Sequence, residues 1–92
     1  MTNEISRFRD EISELDRRIL DAVNARVELV AELKRYKEEH GLPFVDPDRE
    51  RQLLDELVAV NGGPLSDEGL RDLFREVLDL VKREVSKDGR PG

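Results

Sequence analysis

Apolar residues return along the first third of the chain at Ile5, Phe8, Ile12, Leu15, Ile19, Ala22, Leu29 and Leu33. The steps alternate three and four, which is the signature of a helix carrying a heptad-like seam. Neither Gly nor Pro interrupts the run from Asn3 to about His40; Gly41 then supplies a C-terminal stop and Pro43 follows it. The pattern predicts one helix of roughly 36 residues, about 54 Å long at 1.5 Å per residue. A compact chain of this size has a radius of gyration of only about 12 Å. Such a helix overshoots anything the rest of the chain can fold against it, so the pattern asks for a second copy packed along it, related by a two-fold.

Two shorter helices follow. Asp46 is a good N-cap and Pro47 fits the first helical position. From there Leu53, Leu54, Leu57 and Val58 carry a helix to about Val60, where Asn61-Gly62-Gly63-Pro64 breaks it. Ser66 caps a third helix with Asp67 and Glu68 in its first turn. Its stripe is Leu70, Leu73, Phe74, Val77, Leu78, Val81 and Val85. The fold class is therefore all-α: three helices per chain, one very long and two shorter, with a second copy of the chain packed along the long one. Residues 1–86 form the single domain, and residues 87–92, which have nothing to bury, form a flexible tail.

Composition narrows the chemistry. Of 92 residues 41% are charged and 37% hydrophobic, so a lone chain buries only a modest core and gains from association. The absence of cysteine excludes disulfides, a thiolate nucleophile and Cys-ligated zinc. A single histidine, His40, excludes His-rich metal clusters and the Ser-His hydrolase arrangement, and no cofactor is implied. His40 instead suits the last carbonyls of the first helix. No run of 18 apolar residues and no basic-then-apolar leader is present, which points to a soluble, cytoplasmic chain. A formal charge of −6 argues against nucleic acid as a partner. Any anion site must be a local cluster of base within an acidic whole.

Such a cluster is visible. Continuing the first helix's seam past Ala22 lands on Arg26, where a hydrophobe belongs. A buried guanidinium without a partner costs several kcal/mol, so Arg26 either has a protein partner, snorkels, or meets an external anion. Lys37, eleven residues on, differs by only about 20° around the axis and sits roughly 16 Å along it, so the two share a face. Arg9 is about 25 Å from Arg26 and about 100° away. It cannot reach the same ligand within one chain; spacing alone reads it as surface, while in an antiparallel dimer the start of one long helix can pass the middle of the other and bring it to the partner's site. Arg49 stands in the first turn of the second helix, against the macrodipole.

Three charged blocks, FRDEISELD (8–16), ARVELVAELKRYK (25–37) and DPDRER (46–51), together resemble the all-helical (AroQ) class of chorismate mutases, over roughly residues 5 to 85. The resemblance implies an intertwined dimer with two identical sites that convert chorismate to prephenate, a Claisen rearrangement on the route to phenylalanine and tyrosine. It assigns Arg26 to one substrate carboxylate and Arg9, donated across the dimer interface, to the other. It assigns Lys37 to the ether oxygen, Asp46 and Glu50 to the neighbourhood of the substrate hydroxyl, and Arg49 beside them. Arg51 has no role and reads as surface. A pericyclic shift needs no nucleophile, metal or proton transfer; it needs a dianion held in a folded shape and a cation at the breaking C–O bond.

The chain departs from the family on the third helix. Two substrate-contact positions that are usually polar there fall on Val81 and Val85, both apolar. Three readings follow from that departure. The enzyme is weak alone and depends on a partner, as members docking onto the first enzyme of the shikimate route do; the substrate is different, as in the closely similar isochorismate-pyruvate lyases; or the fold is kept as a non-catalytic helical dimer.

Overall fold

A computed structural model describes residues 2–88. It contains three helices, α1 (Thr2–Glu39), α2 (Pro47–Val60) and α3 (Asp67–Asp88), and no strand among those residues. The anticipated tail at residues 87–92 begins inside α3, which runs to Asp88; the rest of it lies outside the described residues.

The helix ends are set by the chemistry visible in the sequence. Gly41 takes a positive φ of 67°, a conformation open to glycine at little cost. The Leu42 amide donates back to the Lys37 carbonyl at 2.8 Å and the Gly41 amide to the Glu38 carbonyl at 3.4 Å. This paired closure satisfies two carbonyls at the end of α1 and turns the chain back sharply. At α2, the Asp46 carboxylate accepts the Arg49 amide at 3.1 Å, with Pro47 opening the helix. At α3, the Ser66 hydroxyl accepts the Gly69 amide at 3.0 Å.

α3 lies between the other two helices and packs against both, while no Cα of α1 comes within 8 Å of a Cα of α2. The buried core is small. Ala31 meets Val81 and Val85, which are 1% and 2% exposed, with Val27, Val30, Phe44 and Val77 packed around them. Leu54, Leu70 and Leu78 complete the buried apolar set. Thus α1 gives α3 the face of Val27, Val30 and Ala31, not the heptad seam. The seam stays open to solvent along the helix: Ile5, Phe8, Ile12, Leu15, Ile19, Leu29 and Leu33 all remain about half exposed or more. The single chain is correspondingly stretched, with a radius of gyration of 17.0 Å and a longest extent of 59 Å, against about 12 Å for a compact chain of this size.

Candidate active site

Because α3 holds α1 and α2 apart, a cleft opens between them, with a volume of about 240 Å³. Arg26, Val30, Leu33 and Lys37 come from α1, Phe44 and Asp46 from the connecting loop, Arg49, Glu50 and Leu53 from α2, and Leu78, Val81 and Lys82 from α3. Its walls combine apolar surface with a few convergent charged groups, the general character of a small-molecule site.

Each cation is positioned differently. Arg26 is half-buried, and among the described residues no ion pair or hydrogen bond engages its guanidinium. Of the readings open from the sequence, the protein-partner one finds no support among the described residues. Lys37 is tied down by the helix terminator. The turn after Gly41 brings the Phe44 carbonyl to 3.2 Å from Lys37 Nζ, which donates to it. An ammonium has three N–H donors, so this bond aims the group and leaves the other two for a ligand. Arg49 is more exposed; its guanidinium lies 3.4 Å from Gln52 Oε1 and 3.7 Å from Glu56 Oε2.

Both carboxylates of the cleft already have partners. Asp46 caps α2. Glu50 is bracketed by Lys82, whose Nζ lies 3.0 Å from Oε2 and 3.3 Å from Oε1. Both side chains of that pair are 30% exposed, well below the 58–86% of Arg49–Glu56 and Arg51–Asp48 on the outer surface. Arg51 pairs with Asp48, in keeping with a surface role.

Of the residues singled out from the sequence, the fold brings together Arg26, Lys37, Asp46, Arg49, Glu50 and Val81. Arg9 lies outside this cleft, on the exposed N-terminal part of α1. Val85 sits beneath it in the core and does not line it. Glu84, adjacent in sequence, pairs with Lys87 at 3.1 Å. His40 stacks on Tyr36 at 4.0 Å with Nδ1 2.8 Å from the Tyr36 carbonyl, at the helix end where it was anticipated. Lys82 was missed. It lies four residues after Leu78, beside Val81 on the apolar face of α3, where the stripe runs on through Val81 and Val85 without it.

Fold and cleft together define an all-helical domain with a small, cation-rich ligand cleft between its helices. The chain belongs to the chorismate mutase type II family, whose sequence profile matches residues 8–85. It is 35% identical over 86 residues to the 4-amino-4-deoxychorismate mutase of Streptomyces venezuelae, covering 92% of this chain and 80% of that protein. It is 36% identical over 88 residues to the T-protein of Enterobacter agglomerans, of which it spans only 22%. The structure of a chorismate mutase from Thermus thermophilus superposes with a TM-score of 0.88 at 36% identity, covering 95% of this chain and 99% of that one.

Proposed function

We propose that this chain is a chorismate mutase that rearranges chorismate to prephenate for phenylalanine and tyrosine synthesis, acting in the cytoplasm as a homodimer with two shared sites. The observation that carries this reading is an unpartnered, half-buried Arg26 facing the same cleft as a Lys37 held by the Phe44 carbonyl, in a chain of this family. The reaction breaks one C–O bond and forms one C–C bond within a single molecule, with no proton passed to the protein. Arg26 binds one carboxylate and fixes the folded conformer, which removes an entropic part of the barrier. The free donors of Lys37 meet the ether oxygen as negative charge grows on it, a kind of stabilisation commonly worth about 3–4 kcal/mol. Asp46, Arg49 and Glu50 face the ring hydroxyl side, and the apolar floor at Val81 fills the space beneath the ring.

The dimer reading is supported by the open seam of α1. Seven large apolar side chains along one helical stripe, all about half exposed or more, form a patch that a stable soluble chain covers. A second α1 running antiparallel covers it and carries Arg9 of the partner subunit to the mouth of the cleft, where it takes the second carboxylate. The full activity is tested by following chorismate consumption by the purified chain, alone and with the first enzyme of the shikimate route added, with the product identified and isochorismate run in parallel; slow turnover that rises with the added enzyme supports the partner-dependent form of the reading. Prephenate at an ordinary enzymatic rate is the expected result. Pyruvate from isochorismate alone overturns the reading in favour of a lyase, and silence on both substrates leaves the binding-module reading.

A further inference from the structure

We infer that Lys82 sets the substrate charge this site accepts: it selects a dianion with a neutral ring hydroxyl and rejects the analogue that carries an ammonium in its place. The inference rests on the mutase reading and goes beyond it to specificity. It starts from the charge inventory of the cleft. Arg26, Lys37, Arg49 and Lys82 supply four cations, and Asp46 and Glu50 supply two carboxylates. The chain's own lining thus has a surplus of two positive charges facing a dianionic substrate, to which the partner's Arg9 in the proposed dimer adds one more. Without Lys82 the chain's own contribution falls to half of that.

Among the described residues, the two carboxylates are the anionic groups of the cleft lining, and each already has a partner. Asp46 is committed to the start of α2 through the Arg49 amide at 3.1 Å. Glu50 has Lys82 Nζ within 3.3 Å of both its oxygens. Asp79, 3.7 Å from the same Nζ on the outer side of α3, adds a second tether to the lysine. A hydroxyl can still donate a hydrogen bond to either carboxylate, because each oxygen has a second lone pair. An ammonium at that position adds a further cation beside Lys82, and a like-charge contact of this kind is strongly unfavourable in a partly shielded site. The exchange of substituent is the one in the name of the Streptomyces relative, 4-amino-4-deoxychorismate against chorismate. Here the Lys82–Glu50 pair opposes it.

The test is the ratio of kcat/KM for chorismate to kcat/KM for 4-amino-4-deoxychorismate, in the wild type and in Lys82→Met and Lys82→Arg. Lys82→Met keeps the length and apolar stem of the side chain and removes the charge, exposing the Glu50 carboxylate to the ligand. The wild type is expected to prefer chorismate. Lys82→Met is expected to lower that ratio by at least about tenfold, with chorismate losing and the amino analogue gaining. Lys82→Arg is expected to keep it. A purely structural role for Lys82 scales both substrates together and leaves the ratio unchanged, which overturns the inference, as does a wild type that prefers the amino analogue. A wild type that turns over neither substrate overturns the mutase reading itself, a different outcome from an active enzyme with a constant ratio. Circular dichroism on each variant confirms that the helical fold is retained. If Lys82→Met does not fold, the ratio is read in Lys82→Gln by the same criteria.

Discussion

A guanidinium at a core-facing register position and without a partner among the described residues is half of an ion pair, and Arg26 is in that state. Lys37 is its counterpart in construction: one donor is spent on the Phe44 carbonyl so that the others are aimed. Arg26→Ala and Lys37→Ala are each expected to lower kcat/KM for chorismate by about a hundredfold or more while the helical signal in circular dichroism survives. Full activity in Lys37→Ala would remove the electrostatic mechanism. Val85 behaves differently. At 2% exposure it is packed among the apolar side chains of the core cluster. Val85→Gln is expected to cost about 1–3 kcal/mol of stability in denaturant titration, without a gain in kcat. A rise in kcat at undiminished stability would show that the amide reaches the cleft. Arg26 was legible in the sequence because it breaks a long periodic seam at one point. Lys82 was not, because Val81 and Val85 already complete the stripe of α3 and draw the eye past the lysine between them.

At the scale of elements, caps and turns carry the geometry of the site. The terminator at Gly41 ends α1 and also decides where the Phe44 carbonyl sits, and through it where Lys37 points. A Cβ on Gly41 meets nothing within 4 Å, so the cost of Gly41→Ala is the left-handed backbone alone. It is expected to destabilise the chain by about 1–2 kcal/mol in chemical denaturation; unchanged stability would refute the account of this turn. These boundaries were readable from the sequence to within a residue or two, since Asp46-Pro47, Ser66 and Gly41 each state a local preference. The packing face of α1 was not readable. The strongest apolar pattern on that helix is its seam, whereas the face that meets α3 is built from Val27, Val30 and the small Ala31, which periodicity alone does not rank above the larger residues.

The whole molecule is an elongated single chain whose longest helix has apolar surface to spare. In a monomer the seam at Ile5, Phe8, Ile12, Leu15 and Ile19 faces water; in a dimer it becomes the interface. Ile12→Asp, in the middle of the exposed stretch, is expected to shift the chain from dimer to monomer in analytical ultracentrifugation and to abolish activity, because each cleft then lacks the partner's arginine. The extended length was legible from the uninterrupted run to His40; which chain covers the seam was not, because a heptad pattern states that a partner is needed and leaves its identity open.

The central claim is that each site is built from two chains, and subunit complementation tests it most directly. Arg9→Ala and Arg26→Ala are purified separately, shown to be folded and inactive, then mixed and refolded together. A mixed dimer holds one site with both arginines intact and one with neither. Random pairing therefore predicts recovery of about a quarter of wild-type chorismate mutase activity from two inactive proteins. Mixed dimers that form and remain as inactive as their parents would contradict the shared site.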